Sequence, residues 1–220
     1  MQMVYVFSGL GADKRIFQHI DFSGCEVTHI EWIPTQEGEP IAQYAQRLLP
    51  QIKTELPVLI GVSFGGMLAS EIAKLIDVKK VILISSAQTR QDIPFYCRLL
   101  GYLKCHHLLP VSLFLNMPPF ILAWLFGVYR VEDRQLLNRI LRETDPVFLK
   151  WALGAILRWD NMQRHPHAVH LHGTHDKVLP ARYCKPHITV AQGGHLMVLA
   201  QADKVSQIIR SQLGFYKPSI

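Results

Sequence analysis

Three side chains able to carry out nucleophilic acyl chemistry stand at turn-like positions of this chain: Ser63, Asp176 and His195. Ser63 is the centre of Gly61-Val62-Ser63-Phe64-Gly65, between a strand-like run, Val58-Leu59-Ile60, and a helix-like run from Met67 to Ile76. A serine on a sharp strand-to-helix turn projects its hydroxyl away from the backbone, and flanking glycines remove the Cβ atoms that would clash there. The helix that follows aims its free N–H groups and positive dipole end at the same point, where negative charge is stabilised. A plain Gly-rich turn around an ordinary serine has the same pattern. The strand before it and the helix after it favour the nucleophile.

A serine hydroxyl attacks poorly until a base takes its proton, and imidazole titrates near neutral pH. The imidazole in turn needs a carboxylate to hold its tautomer. Downstream, His172-Gly173-Thr174-His175-Asp176-Lys177-Val178-Leu179-Pro180 follows the apolar segment Ala168 to Leu171. Gly193-Gly194-His195-Leu196 follows the strand-like segment His187 to Ala191. Asp92, Asp145 and Asp160 are rival carboxylates. Asp145 is better used as a helix cap, Asp160 has an exposed helix-end setting, and Asp92 follows a strand. Asp176 is the expected partner of His195.

With nucleophile, acid and base in the order Ser63, Asp176, His195, the chain resembles the α/β-hydrolase family. The resemblance spans nearly the whole chain apart from a central segment. It implies an α/β fold: a mostly parallel sheet flanked by helices, with the three residues at the C-terminal ends of strands. It also implies an oxyanion hole built from backbone N–H groups of Leu10 and Phe64, the first in the loop Ser8-Gly9-Leu10-Gly11-Ala12-Asp13. Ser8 stands where many members carry histidine before the glycine. A Gly-rich loop that merely turns the chain is the plainer reading of that segment.

Six strands are expected, at Met3 to Phe7, Val27 to Ile33, Val58 to Ile60, Val81 to Ile84, Ala168 to Leu171 and His187 to Ala191. Ile41 to Ile52 has helical apolar spacing. In the helix after Ser63, Leu68, Ile72, Leu75 and Ile76 are expected to face the sheet, with Ser70, Glu71 and Lys74 in water. A last helix runs from Val198 to Leu213 and is stopped by Gly214. The core is expected over residues 1–87 and 160–220, with a helical cap inserted over 88–159.

That insertion is unusually apolar. One helix in it is plain: Asp145 caps it, Pro146 opens it, and Phe148, Trp151, Ala152, Ala155 and Ile156 share one face. From Val111 to Val128 no residue is charged, but Asn116 and Pro118-Pro119 would break a single spanning helix. A roof over an apolar pocket, with Phe120 and Trp124 touching substrate, is the first reading. A surface that touches lipid is the second, and a transmembrane helix the third. Residues that pack the insertion and bind nothing fit as well.

The chain has 220 residues, a formal net charge of +6 and 49% hydrophobic content, enough for a substantial core. Lys14-Arg15 and Lys79-Lys80 are adjacent basic pairs but no longer basic run occurs, so nucleic-acid binding is not expected, while anionic substrates or membrane surfaces are tolerated. No signal-peptide pattern opens the chain, and Cys25, Cys97, Cys105 and Cys184 have no CxxC or zinc-ligand spacing; their even number allows disulfides, but a chain with this core hardly needs them, so a cytoplasmic location is expected. His170, His172 and His175 with Asp176 invite a metal reading, but no further ligands stand at suitable spacing. His106, His107, His165 and His167 read as surface or loop residues.

The expected activity is hydrolysis of a carboxylic ester or thioester bearing an apolar group, through an acyl-enzyme on Ser63, with no metal or organic cofactor. An acyltransferase on the same residues, or a membrane-associated protein that keeps the fold without turnover, are the alternatives. The oligomeric state is left open.

Overall fold

Runs such as Val58–Val62, buried at every residue, have no face to offer water and call for a sheet covered on both sides. In the computed structural model, which describes residues 1–102 and 116–215, six strands form one wholly parallel sheet. They are β1 (Gln2–Phe7), β2 (Cys25–His29), β3 (Val58–Val62), β4 (Lys80–Ile84), β5 (Ala168–Gly173) and β6 (Ile188–Val190), in the spatial order β2-β1-β3-β4-β5-β6. Successive strand residues point to opposite faces. Tyr5, Phe7, Leu59 and Leu83 therefore pack with α1 (Ile41–Leu48) and α2 (Phe64–Ile72) on one side. Val4, Val6, Ile60 and Ile82 pack on the other with α8 (Met197–Ala200) and α9 (Ala202–Gln212).

Register decides where the loops meet. Phe7 pairs with Gly61, Val62 with Ile84, and Gly173 with Val190. The strands thus end at a common edge, and the segments after β1, β3, β5 and β6 gather there.

Between β4 and β5 the chain leaves the sheet for α3 (Phe95–Tyr102), α4 (Pro119–Phe126), α5 (Val131–Glu143) and α6 (Pro146–Arg158). A short helix, α7 (Ala181–Cys184), follows β5. The expected start of α6 is found: the Asp145 carboxylate accepts from the Val147 N–H at 2.8 Å, with Pro146 first in the helix. The helix is fixed to the core by aromatic packing. Trp151 lies 4.5 Å from Tyr44 between ring centroids, and its indole N–H donates to the Glu39 carbonyl at 3.0 Å.

Three expectations are corrected. β2 ends at His29, not at residue 33, because the Tyr44 hydroxyl takes both the N–H and the carbonyl of Ile33 at 2.9 Å each. The elbow helix runs Phe64–Ile72, and Ser70 and Glu71 are buried while Leu75 is exposed. A second layer covers its outer face: the Trp159 indole donates to the Glu71 carboxylate at 2.7 Å, and Lys74 pairs with the same group. The last helix is broken at Gln201, between α8 and α9. As the prolines imply, the charge-free stretch does not form one helix over residues 116–128: α4 has 8 residues, opens at Pro119 and stops at Gly127 in the left-handed region. Residues 111–115 of that stretch, with Cys105, His106 and His107, lie outside the described residues. Among the described residues no helix is long and apolar enough to cross a membrane.

Glu71 supplies a stability test. Trp159→Phe keeps the ring and removes the donor from a buried carboxylate, which should cost about 1–3 kcal/mol in urea unfolding. A change within error would mean that water or Lys74 replaces the indole.

Candidate active site

Ser63 sits where β3 turns into α2, with φ +52° and ψ −120°. Such a backbone is sparsely populated for a residue with a Cβ and persists only when its surroundings hold it. Here three hydrogen bonds do so. The Ser63 N–H donates to the Ile84 carbonyl at 2.9 Å, and its own carbonyl accepts from Gly66 N–H at 2.9 Å and from the Ser86 hydroxyl at 2.6 Å. The glycines permit the turn by size. A Cβ on Gly65 would lie 2.2 Å from the Ser8 carbonyl oxygen, and one on Gly61 would lie 2.5 Å from Gly66 Cα.

The buried His195 ring stands between Ser63 and Asp176. Its Nδ1 is 2.8 Å from Asp176 Oδ2, and its Nε2 is 2.9 Å from Ser63 Oγ. A carboxylate only accepts, so Nδ1 carries the proton, and in the neutral ring Nε2 accepts from the serine hydroxyl. This tautomer is the one that can take the serine proton. Asp176 is saturated with donors: Oδ1 accepts from the Val178 and Leu179 N–H groups at 2.9 and 2.8 Å, and Oδ2 from His195 and His172. Burial alone would push its pKa up, but electrostatic attraction from the facing His195 ring, the hydrogen bonds from His172 and His195, and the Leu179 amide together hold it well below the usual carboxylate range.

His172 is a neighbour that sequence reasoning weighed only as a metal ligand. Its Nε2 faces two acceptors, the Leu179 carbonyl at 2.6 Å and Asp176 Oδ2 at 3.1 Å, so that nitrogen carries a proton. Its Nδ1 is 3.1 Å from His170 Nε2. Burial, then repulsion from His172, His187 and Arg164, pushes His170 down to about 3, so His170 is neutral at working pH and its Nε2–H donates to His172. The two histidines thus spend their donors on each other and on the Asp176 loop. Among the described residues, no group of three or more His, Cys, Asp or Glu is arranged to hold a metal ion. The signal in the sequence was the four-residue spacing from His172 to Asp176 across a tight turn.

The loop after β1 approaches Ser63 closely, since a Cβ on Gly9 would lie 3.5 Å from Ser63 Cβ. The Ser8 hydroxyl, at the position of departure from the expected pattern, donates to the Ala12 carbonyl at 2.9 Å and closes that loop. Leu10 and Ser63 border one cavity, and Phe64 opens α2, where the first amides have no partner within the helix. The rival carboxylates are otherwise occupied. Asp92 is buried in an ion pair with Arg164, Asp145 caps α6, and Asp160 is exposed.

This fold and this arrangement can be set beside known proteins. A family model described as "Alpha/beta hydrolase family" matches residues 6–208. The chain belongs to the alpha/beta hydrolase family. Solved structures agree on the fold. An esterase from Exiguobacterium antarcticum has 16% identity and a TM-score of 0.71 over 97% of this chain and 92% of its own. MenH from S. aureus has 18% identity and a TM-score of 0.70 over 97% and 93%. An epoxide hydrolase from Bacillus megaterium has 10% identity and a TM-score of 0.71 over 97% and 94%. No curated protein sequence matches the chain.

In this family member the cavity above Ser63 and His195 has a volume of about 340 Å³. Leu100, Phe126, Leu137, Leu141, Leu153 and Ile156, all from the insertion, supply much of its wall. Phe120 and Trp124 do not. They are 71% and 57% exposed on the outer face of α4, whose inner face buries Leu122, Ala123 and Phe126. An eight-residue helix that is apolar all round gives no hint of which face turns inward, so the expected contact residues were placed on the wrong side. Where α4 ends, its backbone meets the histidine loop: a Cβ on Gly127 would lie 2.7 Å from Gly194 Cα, and Leu196 N–H donates to the Phe126 carbonyl at 3.0 Å.

The charge on Asp176 has a pH signature. Its folded pKa is depressed, so its stabilising contribution is complete above the ordinary value of 3.8 and drains away as pH falls from there through the folded value. Asp176→Asn should lower stability at pH 7, and the gap to wild type should narrow steadily in urea titrations below about pH 4. A gap that stays constant with pH would show that the charge is not what stabilises the loop.

Proposed function

We propose that the chain is a serine hydrolase that cleaves a carboxylic ester or thioester through an acyl-enzyme on Ser63. The observation that carries this reading is the continuous hydrogen-bonded path from Ser63 Oγ through His195 to Asp176, on a strained elbow at the floor of an apolar cavity. His195 Nε2 takes the hydroxyl proton as Ser63 Oγ attacks the carbonyl carbon, and the imidazolium is stabilised by Asp176. The Leu10 and Phe64 amides receive the oxyanion. His195 then gives its proton to the leaving oxygen or sulfur, and the same nitrogen activates water to release the acid.

Residues 88–159 act as the cap in this reading. Leu137 and Leu141 from α5 and Leu153 and Ile156 from α6 surround an apolar acyl or alcohol group. A volume of about 340 Å³ lies at the small end of the usual range for ligand pockets, roughly 300–1,000 Å³, and points to a chain of modest length. Apart from Lys150, the side chains that line the cavity beyond Ser63 and His195 are uncharged, which suits an apolar group.

Two measurements test the proposal. A fluorophosphonate probe should label Ser63, located by mass spectrometry, and labelling should vanish in His195→Ala. Ser63→Ala and His195→Ala should each cut ester turnover by about 10,000-fold or more. Folded protein that neither labels nor turns over a panel of esters and thioesters would refute the assignment.

Acyl length probes the cavity. Each methylene accommodated is worth about 0.8 kcal/mol, so kcat/KM should rise roughly fourfold per carbon until the cavity is full. Leu153→Trp should abolish that rise while sparing acetate esters. Rates that ignore both chain length and this substitution would remove the apolar-pocket reading.

A further inference from the structure

The mouth of the cavity is framed by side chains that the proposed chemistry does not use. On α4, Phe120 and Trp124 are one turn apart on the exposed face. On α3, Phe95, Leu99 and Tyr102 form a second exposed stripe, with Tyr96 beside them. The loop between β5 and α7, with α7 itself, joins the two. Lys177 Nζ lies 4.2 Å from the centre of the Trp124 ring and donates to the Trp124 carbonyl at 2.9 Å. At the other end, Arg182 stacks 5.0 Å from the Tyr183 ring, Tyr183 meets Tyr96 at 6.4 Å, and Tyr96 meets Phe95 at 5.6 Å. Leu100, Phe126 and Val178 belong to the same three segments and line the cavity, so this band lies around its opening.

Charge decides what such a band would face. From Ile93 to Val131 the chain has no Asp or Glu, and it carries Arg98, Lys104 and Arg130. From Lys177 to Ala202 it again has none, and it carries Lys177, Arg182 and Lys185. Of the acids that bound these segments, Asp92 is paired with Arg164 and Asp176 is buried against His195, while Glu132 and Asp203 are exposed at the far ends. A soluble face would normally mix both signs. Exposed Trp, Tyr and Phe interleaved with Lys and Arg, with no carboxylate inside either segment, matches the headgroup zone of an anionic bilayer, where aromatic rings sit at the boundary and cations meet lipid phosphates.

We propose that this band, centred on Trp124, Lys177, Arg182 and Tyr96, docks the chain on anionic lipid bilayers with the cavity mouth toward the membrane. Apolar molecules dissolved in the bilayer would then reach the cavity without crossing water. The inference does not require that Ser63 turn over an ester, and its test is free of activity.

The full chain is mixed with phosphatidylglycerol-containing vesicles and, separately, with phosphatidylcholine-only vesicles, and co-sedimentation and tryptophan emission are measured. Binding should be at least about tenfold tighter to the anionic vesicles and should weaken as salt rises. Brominated lipid should quench the emission, and Trp124→Phe should remove most of that quenching, since Trp151 and Trp159 are buried and the half-buried Trp32 packs against Phe64 and Phe148. Two double variants, Phe120→Ser with Trp124→Ser and Arg182→Glu with Lys185→Glu, should each weaken binding about tenfold or more while circular dichroism and thermal unfolding stay near wild type. Absence of binding by folded protein, or binding that ignores both double variants, overturns the proposal. So does a Trp124 emission shift that follows protein concentration without vesicles, which would assign the band to a second copy of the chain.

Discussion

At Gly65 the first turn of α2 passes so close to the end of β1 that the space of one methyl group is already filled by the Phe7 and Ser8 carbonyls. The contact makes the proposed nucleophile possible. It lets α2 start immediately after Ser63, so the helix's first amides and its positive end face the same cavity as the serine hydroxyl. It also brings the Gly9-Leu10 backbone beside Ser63 without any side chain acting as intermediary. The energy needed to hold Ser63 at φ +52° comes from neighbours that are themselves locked, Ile84 on the central strand and Ser86 just beyond it. The rest of the site is built outward from that crossing of two backbones.

Around it the structure divides apolar and polar duties sharply. On one side Phe64, the residue after the serine, meets Trp32, Phe148 and Trp151 with ring centroids between 5.9 and 6.2 Å, so the helix start is pinned by aromatic packing and not by charge. On the other side a buried carboxylate is surrounded by donors, two amides and two imidazoles. Asp176 therefore has no free lone pair with which to wander, and His195 is held in a single tautomer without help from solvent. His172 adds to this restraint by donating toward Asp176 and the Leu179 carbonyl, and His170 behind it stays neutral because burial disfavours its charged form.

Much of this was legible in the amino-acid order because the relevant residues are constrained locally. The Gly61 to Gly65 turn, the Asp145-Pro146 helix start and the Gly214 stop all work through backbone conformation, which neighbours in sequence determine. The pairing of Ser63 with His195 and Asp176 was readable from order along the chain, given where parallel strands end. What escaped was set by distant surfaces. Glu71 has the pattern of a solvent-facing helix residue, yet Trp159, 88 residues away, roofs it. Phe120 and Trp124 have the composition of a pocket wall, but whether they turn inward depends on the packing of α4 against its neighbours, and an all-apolar helix has no polar side to reveal it. His172 was visible as a residue but not as a partner of Asp176, because only the turn between them brings the ring back to the carboxylate.

The meeting of Gly127 with Gly194 has a consequence for how such a chain can change over evolutionary time. Insertions at this point of the fold are the natural place to exchange one binding surface for another. Here the inserted helix α4 ends by laying bare backbone against bare backbone on the loop that carries His195, with the Leu196 amide tied to the Phe126 carbonyl. The insertion is therefore not an interchangeable accessory. A transplanted substitute lacking a glycine at the junction would displace the loop that holds His195, so the wall of the cavity and the position of this ring change together.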